Sequence, residues 1–332
     1  MSARRRRIVA IAMLIASSAC VPRGGPVPGC VPAPLKVSGS TATLEIAPVL
    51  LAARDHYPAG AVVTNGGIAN LMSAIPARQP RTDGLADVAT HAETQALRYS
   101  VGNPDIRIIL TITEGRYRII ARRSAGIARI ADLKGKRIAT LATTSAGYFL
   151  ARMLAQDGMT FADITPVRIS PLEGMGAALE RREVDAVAIW EPHADNAARV
   201  LGNDLVIFAG DGAYREMFNL NTTAANLADP AKRRRMVAFV RALIETAAQI
   251  RRDPAGAQAL VAATAGFTAD EVGRSWATLA FPAALPADLL DILVEEERWL
   301  AAQDRRAPRS REVLSHLIDT SIYAEALAIG WP

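Results

Sequence analysis

The sequence predicts an α/β fold organised around a doubly wound, mainly parallel β-sheet. Short apolar runs typical of buried strands alternate with segments whose apolar residues recur at helical spacing, which is the pattern of consecutive β-α-β units. Half of the 332 residues are apolar and 5% are aromatic, so the chain can bury a large aliphatic core. A chain of this length exceeds the size of most single domains.

The elements predicted before residue 122 alternate strands with helices. Each strand is a short apolar run, and each of the first two strands ends in a polar turn that leads into a helical pattern. The predicted strands are residues 35–38, 61–64, 85–90, 106–113 and 117–121. The two predicted helices carry their apolar positions at Leu44 and residues 49–51, and at Ile68, Leu71, Met72 and Ile75.

The stretch from residue 131 to residue 193 is the most informative part of the chain. A strand over residues 138–141 leads into a helix that Thr144 or Ser145 caps and that ends near Gly158. Small polar residues therefore stand between the end of a strand and the start of a helix.

A second unit of the same kind follows. A strand over residues 167–169 precedes residues 170–173 (SPLE), which have the form of a capping box with proline at the first helical position, so we expect a helix to start there. Residues 184–189 are almost wholly apolar, as expected of a strand that is covered on both faces.

The remainder of the chain is predicted to be helical after one further strand over residues 205–208. Helix-start signals such as Asp253-Pro254 mark several of these segments. The predicted helices are residues 236–250, 254–265, 269–279, 289–303 and 311–328.

The N-terminus has the composition of a secretory signal peptide. Residues 4–7 are arginines, and residues 8–15 are an apolar run too short to span a bilayer, which needs about 20 residues. Residues 17–19 form a small-residue cleavage site. We therefore predict that residues 1–19 direct export and are then removed.

Cleavage after Ala19 would place Cys20 at the new N-terminus, as in bacterial lipoproteins, although Ser17 stands where such signals usually have leucine. Residues 20–34 are rich in proline and glycine and predict an extended tether between a lipid anchor and the folded part. A disulfide between Cys20 and Cys30 is the alternative interpretation of the two cysteines.

The charge of the chain argues against a nucleic-acid partner. The net charge is +5, but residues 1–19 contain four arginines and no acid, so the remaining chain carries +1 and lacks a basic footprint. The sequence contains no Walker loop, nucleophile elbow or zinc-ligand spacing, so we expect neither a cofactor nor a metal.

Loops at the predicted carboxyl ends of strands are the candidate binding segments. Such edges are where open α/β sheets bind ligands, and free N–H groups at helix N-termini favour an anionic or acceptor group. Each of these residues also admits a purely structural role as a cap or hydrogen-bond partner. The candidates are Ser38, Ser40, Thr41, Gly67, Thr90, His91, Thr143, Thr144 and Ser145.

Three segments resemble, in their sequence and in their order along the chain, the periplasmic substrate-binding proteins of nitrate/sulfonate/taurine ABC importers. The relatives of these proteins include the thiamine-pyrimidine-precursor proteins. The segments are residues 131–140 (ADLKGKRIAT), 143–146 (TTSA) and 182–192 (REVDAVAIWEP). A Trp-acid-Pro-aromatic sequence is common in that family, and Trp190 and Glu191 match its first two positions. The resemblance implies that Trp190 stacks on the ligand and that Glu191 accepts a hydrogen bond from it, with His193 standing where tyrosine is frequent.

The resemblance also implies the architecture and the role. The type II-like fold of these proteins has two lobes, which we place at residues 35–114 with 211–332 (lobe I) and at residues 115–210 (lobe II). A ligand would bind in the cleft between the lobes, which closes by hinge motion. The implied protein is an exported, monomeric solute-binding component that delivers its ligand to a membrane permease, without a covalent step.

Two other functions are compatible with the same fold. One is an enzyme such as a pyrimidine-precursor synthase or a dehydratase of menaquinone synthesis, and the other is a binding protein that feeds a sensor. Lys134 and Lys136 lie in a turn before a strand, away from its carboxyl end, which argues against an enzyme of the pyridoxal type. Helix N-termini and hydroxyls suit a sulfonate, nitrate or carboxylate, whereas Glu191 suits an amine, amide or pyrimidine. We expect a small organic molecule that bears an anionic group.

Overall fold

The computed structural model describes residues 34–73 and 85–329, which belong to a compact unit that begins at Pro34. The predicted signal peptide, both cysteines and Ile75 of the second predicted helix lie outside the described residues. Among the described residues, no helix combines the length and the apolar composition needed to cross a bilayer.

Two β-sheets organise the described residues. The strands are β1 (Leu35–Gly39), β2 (Ala61–Asn65), β3 (Val88–Ala92), β4 (Ile106–Gly115), β5 (Arg118–Arg122), β6 (Arg137–Ala139), β7 (Thr165–Val167), β8 (Ala186–Ile189), β9 (Leu205–Ala209), β10 (Glu216–Thr223) and β11 (Leu279–Ala280). The first sheet has the order β11-β4-β10-β3-β1-β2, and the second has the order β7-β6-β8-β5-β9.

Most strands within each sheet point in the same direction. In the first sheet β1 is parallel to β2 and β3, while β10 is antiparallel to both β3 and β4, and β11 is antiparallel to β4. In the second sheet β6 is parallel to β7 and β8, and β5 is antiparallel to β8 and β9. The predicted α/β class with two mainly parallel sheets is confirmed.

Helices cover the sheets. They are α1 (Ala47–Leu51), α2 (Glu93–Gly102), α3 (Ser145–Ala155), α4 (Gly174–Glu180), α5 (His193–Arg199), α6 (Ala224–Ala228), α7 (Pro230–Arg252), α8 (Ala255–Ala265), α9 (Ala269–Ser275), α10 (Leu289–Gln303), α11 (Arg311–Ser315) and α12 (Ser321–Ala328). Short 3-10 turns lie at Leu44–Ile46, Ile68–Leu71, Arg123–Ala125, Ile130–Leu133, Phe161–Asp163, Gly202–Asp204 and Trp276–Thr278, and a π-helical turn lies at Ala52–His56.

The first sheet is buried on both faces. Successive side chains of a strand point to opposite faces, and Val88 packs in a core with α1, α7, α8 and α12, whereas Ala89 packs in a separate core with α2 and α10. The second sheet has its own core, in which Phe149 of α3 and Met175 of α4 pack against Ile189 of β8. The cores of the first sheet are therefore separate from the core of the second sheet. We call the part built on the first sheet lobe I and the part built on the second sheet lobe II.

The chain passes between the two sheets twice. It leaves the first sheet after Gly115 and enters the second at Arg118, and it returns between Ala209 and Glu216. We call these two passages the crossings. The lobe boundaries at residues 114/115 and 210/211 remain a prediction.

Strand β10 is an element that the sequence analysis did not predict, although it lies between β3 and β4 in the first sheet. Most of its polar side chains are buried, and several of them bond inside the sheet. Asn219 Oδ1 accepts from Thr111 Oγ1 at 2.7 Å, and Thr222 Oγ1 donates to Asp87 O at 2.7 Å. The polar residues of this segment are the reason that a buried strand was not predicted here.

Four predicted helices differ from the observed ones. The helix predicted over residues 269–279 ends at Ser275, and Leu279 already belongs to β11. The capping box at residues 170–173 is wrong, because these residues form a turn and α4 begins only at Gly174, without a side-chain cap. The helix predicted from Ile68 is a single 3-10 turn, after which Met72 is extended. The segment 311–328 forms two helices, because Ile318 between them bridges to β4.

Candidate functional site

The carboxyl ends of β1, β2 and β3 form a tightly packed edge of the first sheet. A Cβ atom on Gly67 would lie 2.6 Å from His91 Cδ2, and one on Gly66 would lie 2.3 Å from Ser38 Oγ. A Cβ atom on Gly39 would lie 2.9 Å from Thr90 Oγ1. The structure thus brings together Ser38, Gly67, Thr90 and His91, and glycine is needed where the loops approach the side chains this closely.

Two hydroxyls at this edge are buried without a partner. Ser38 and Thr90 are both fully buried, and neither Ser38 Oγ nor Thr90 Oγ1 has a hydrogen-bond partner among the described residues. Buried polar groups are nearly always satisfied by protein, water or ligand. These two hydroxyls are therefore candidates for contact with a bound molecule.

His91 is a neutral group at this edge. Burial lowers the pKa of its imidazole to about 4, so the ring carries no charge at neutral pH. It can donate or accept a hydrogen bond, but it contributes no positive charge for an anion.

Ser40 and Thr41 lie in the turn that follows β1. Thr41 N donates to Gly39 O at 2.8 Å and to Asn65 Oδ1 at 3.3 Å, which joins the loops after β1 and β2. Both side chains are half-buried, and the backbone contacts give the turn a structural role.

Lobe II contributes the loop before α3. Thr144 Oγ1 accepts from Ala146 N at 3.3 Å and caps the helix as predicted, and it donates to Leu141 O at 2.9 Å. Ser145 is buried, and its hydroxyl bonds to Tyr117 Oη at 2.9 Å. Thr143 has an exposed side chain, and its carbonyl accepts from Gln95 Nε2 of lobe I at 3.2 Å. This loop therefore lies at the contact between the lobes.

The Trp190–Glu191 pair is held inside lobe II. Glu191 is buried, and its carboxylate accepts from Arg118 Nε at 2.8 Å and from Asp195 N at 2.8 Å in the first turn of α5. Both of its oxygens thus already take part in structural bonds, while Trp190 is half-buried against the lobe II core. The predicted ligand contacts of both residues stay predictions.

His193 connects this segment to lobe I. Its ring is buried, with the centroid 6.0 Å from that of Phe267, and its Nδ1 has no partner among the described residues. Burial lowers the pKa of its imidazole, so it is neutral at pH 7.

Two buried carboxyls at the crossings were missed by the sequence analysis. Glu45 follows the loop after β1, and Glu216 begins β10 opposite Gly115, with its Oε2 2.9 Å from a Cβ atom on that glycine. Each is about 4% exposed, and each has an Oε2 without a hydrogen-bond partner in the described part of the chain. The available signal was an acid inside an apolar run, Leu44-Glu45-Ile46.

Burial controls the protonation of both carboxyls. It raises the pKa of Glu45 to about 7, to which the nearby charge of Glu191 also contributes. Burial raises the pKa of Glu216 well above its usual range, as do the charges of Glu45 and Glu93, while the hydroxyls of Tyr117 and Ser145 oppose this rise.

Glu93 and Glu296 are a second pair of buried carboxyls. Glu93 of α2 accepts from Tyr214 Oη and from Met217 N, the latter at 2.8 Å. Glu296 of α10 is fully buried, and burial and the charge of Glu93 raise its pKa well above the usual range. Both groups lie inside lobe I beside the second crossing.

Aromatic rings pack around the crossings. The centroid of Tyr214 lies 5.5 Å from that of Tyr117 and 5.4 Å from that of Tyr148, and Tyr117 lies 5.6 Å from Phe149, all edge to face. The first crossing, the second crossing and α3 are therefore joined by one aromatic cluster.

The lobes contact each other on two sides of the site. On one side Gln303 Nε2 donates to Ala142 O at 3.4 Å, next to the Gln95–Thr143 bond. On the other side Arg274 Nε of lobe I bonds Asp195 Oδ2 of lobe II at 2.7 Å. Polar contacts thus join the lobes both at the loop before α3 and at α5.

Two cavities lie near these elements. One of about 180 Å³ opens beside the loop before α3 and is lined by Thr140, Thr143 and Arg168 among others. A larger one of about 590 Å³ lies against the crossings, away from the strand edges, and is lined by residues that include Arg116 and Tyr148. Within residues 34–73 and 85–329, no three His, Cys or carboxylate side chains cluster as metal ligands do.

The family model "NMT1/THI5 like" matches residues 77–257, which is more than half of the chain. The chain belongs to the NMT1/THI5-like family. This membership confirms the predicted resemblance to nitrate-, sulfonate- and taurine-type substrate-binding proteins.

A sequence relative of this NMT1/THI5-like chain is a protein of Escherichia coli (strain K12) that is named as aliphatic sulfonates-binding. It is 37% identical over 75 residues, which is 23% of this chain and 23% of that protein. The chain thus matches about a quarter of the length of this curated relative.

Solved structures of the same fold cover nearly the whole chain. The alkanesulfonate-binding protein of Xanthomonas axonopodis pv. citri, bound to MOPS, is 21% identical with a TM-score of 0.65 and covers 87% of this chain and 99% of its own. The periplasmic nitrate-binding protein of Synechocystis PCC 6803 is 12% identical with a TM-score of 0.69, covering 91% and 90%. The desulfurization enzyme DSZB is 15% identical with a TM-score of 0.62, covering 89% and 98%. The fold of this NMT1/THI5-like chain is therefore shared by binding proteins and by an enzyme.

Proposed function

We propose that this protein captures a small organic molecule between its two lobes and delivers it to the membrane permease of an ABC importer. The observation that carries the proposal is the pair of fully buried hydroxyls of Ser38 and Thr90 at the carboxyl edge of the first sheet, which have no partner among the described residues. A ligand in the cleft would satisfy them, and the relatives that bind sulfonate and nitrate have the same fold.

The N-terminus of α3 is the proposed site for an anionic group of the ligand. The first-turn amides of this 11-residue helix point toward the contact between the lobes, and the helix dipole favours negative charge there. Sulfonates, carboxylates and nitrate are the anions that we expect in this position. We further propose export by residues 1–19, anchoring through Cys20 and action as a monomer.

Binding can be tested by a thermal-shift screen of the purified protein. The panel contains alkanesulfonates, taurine, nitrate, aromatic carboxylates and thiamine-pathway pyrimidines. A ligand at 100 times its Kd stabilises the folded state by about 2.7 kcal/mol, which raises Tm visibly. A stabilising compound recovered unchanged after incubation supports binding, whereas no stabilisation by any compound contradicts the proposed function.

An enzyme is the second candidate, because DSZB shares the fold. The same screen distinguishes the two functions. A stabilising compound that is consumed during incubation, as followed by chromatography, would favour the enzyme and reject the transport role.

A further inference from the structure

We propose that Glu45 and Glu216 contact the ligand and bind a protonated nitrogen on it, such as an ammonium or amidinium group. The inference rests on the proposed function, because it takes the cleft between the lobes as the binding site.

Both carboxyls lie where the two lobes meet. Glu45 follows the loop at the carboxyl end of β1, close enough to Glu191 of lobe II for the charge of that residue to affect its pKa. Glu216 lies opposite Gly115 at the first crossing and beside the hydroxyl of Ser145 at the start of α3. The two groups lie against the same part of β4, since Thr113 Oγ1 donates to Glu45 O at 2.8 Å and Gly115, two residues later, pairs with Glu216.

The polar atoms at this place are unsatisfied. Among the described residues, Oε2 of Glu45 and Oε2 of Glu216 have no hydrogen-bond partner, and each residue is about 4% exposed. The hydroxyls of Ser38 and Thr90 provide an independent second observation, because they are fully buried and also unpartnered. An unsatisfied buried polar group costs about 1–3 kcal/mol, so such a set is typical of a site that a polar ligand completes.

The charges around the carboxyls favour a cation. The titratable groups that interact with them are Glu93, Glu191, Glu296, Tyr117 and Tyr214, none of which is positive at neutral pH. The nearby arginines already have acidic partners: Arg118 is bound to Glu191, and Arg215, which precedes Glu216, pairs with Glu114 and Asp288. Among the described residues, a positively charged nitrogen between the two carboxyls would therefore find two free Oε2 acceptors and no competing cation without a partner of its own.

Ligand binding would then be coupled to the loss of protons. In the empty cleft burial keeps both carboxyls largely protonated below pH 7. An ammonium group stabilises the carboxylate forms, so the protons pass to the solvent and the affinity for an amine rises with pH. The α3 N-terminus would hold the anionic end of the same ligand.

Two probes of equal length test the proposal. Taurine and isethionate are both two-carbon sulfonates. Taurine carries an ammonium group at the position where isethionate carries a hydroxyl. Isothermal titration of the full exported protein at pH 6, 7 and 8, in buffers of different ionisation enthalpy, gives both affinity and proton release. We expect taurine to bind at least tenfold more tightly, with proton release and with an affinity that increases with pH.

Glu45→Gln and Glu216→Gln keep the shape of the side chains and remove the charge. Each is expected to weaken taurine binding by about tenfold and to reduce the proton release, while leaving isethionate unaffected. Glu312→Gln, at an exposed position of α11, is the matched control. Melting of the ligand-free variants, which we expect at or above the wild-type Tm, shows that they fold.

The proposal would be overturned if isethionate bound as tightly as taurine. It would also be overturned if neither substitution changed the affinity for taurine. In both cases a ligand still binds, so the proposed function stands. If no compound of the panel binds, the proposed function fails, and this inference fails with it.

Discussion

Ser38 and Thr90 are fully buried hydroxyls that lower the stability of the ligand-free protein. A buried hydroxyl without a partner has lost its bonds to water and gained nothing in return. Sites that recognise polar ligands carry such groups because the ligand supplies the missing bonds. Function and stability are therefore opposed at these two positions.

Replacement of Ser38 by alanine should separate the two effects. We expect the Tm of the ligand-free protein to stay the same or to rise, because the unsatisfied hydroxyl is removed. We expect ligand affinity to fall by about fivefold to tenfold, since a neutral hydrogen bond contributes about 1 kcal/mol. Thermal melting and titration with a ligand from the screen measure both.

Thr320→Ala, at an exposed position before α12, is the control and should change neither quantity. A fall in the Tm of the ligand-free Ser38→Ala variant with unchanged affinity would mean that Ser38 has a structural role.

The site was predictable where the position of a residue follows from topology. Ser38, Thr90 and His91 were identified because they end strands that we predicted to be parallel, and parallel strands end at one edge. Glu45 and Glu216 were missed, since Glu45 lies within an apolar helical run and Glu216 begins a strand that the sequence does not reveal. Pairwise contacts such as Arg118–Glu191 depend on the fold and could not be predicted.

At the scale of elements, strands were predicted best where both faces are apolar. The apolar run that includes β8 was predicted as a strand, whereas β10 was missed because buried asparagines and threonines interrupt its apolar residues. The signal at Ser170–Glu173 was misread, because a capping-box pattern describes local bonds and the chain forms a turn there instead. The Thr144 cap was predicted and is present.

The cap of α3 gives an element-scale prediction. Thr144→Ala should destabilise the protein by about 1 kcal/mol, because the hydroxyl that accepts from Ala146 N is lost. Thr144→Ser should retain most of the stability. Urea unfolding of the two variants measures the difference, and equal losses in both would show that the methyl group, and not the cap, matters.

Helix α10 is fixed to the chain that follows it by a buried ion pair. Glu297 is fully buried and accepts from both Arg306 and Arg309, with Arg309 Nη2 at 2.8 Å. Burial raises the pKa of this carboxyl, but the hydrogen bonds from the two arginines outweigh burial and lower the pKa to about 2. Since the folded pKa is depressed, the stabilisation is present above about pH 4.5 and is lost as the pH falls toward 2.

Glu297→Gln should therefore cost about 2–3 kcal/mol at pH 7, because two half-buried arginines lose the carboxylate that they share. The difference from wild type should shrink as the pH falls below 4, which unfolding at several pH values can follow. Asp291→Asn, which breaks the exposed pair with Arg311, should cost under about 1 kcal/mol at any pH. A difference that is independent of pH would contradict this account.

At the scale of the whole molecule, the two lobes touch through few polar contacts. The Arg274–Asp195 pair joins α9 of lobe I to α5 of lobe II. Such contacts favour the state in which the lobes are together, so they influence ligand affinity without touching the ligand.

Arg274→Ala should lower ligand affinity by up to about fivefold, because a partly exposed ion pair contributes up to about 1 kcal/mol. Arg181→Ala, which breaks an exposed pair within lobe II, is the matched control and should leave affinity unchanged. Titration with the same ligand measures both, and equal affinities for the two variants would show that the lobe contact does not influence binding.

The two crossings have a consequence for how this protein can change over time. Tyr117, Gly115 and Glu216 sit in or beside the only covalent connections between the described lobes, and they also border the proposed binding groups. Any rotation of one lobe on the other must bend the backbone at these same residues. If the ligand binds between the lobes as proposed, a substitution there that changes selectivity would also change the rate of ligand release, so that the two properties would evolve together.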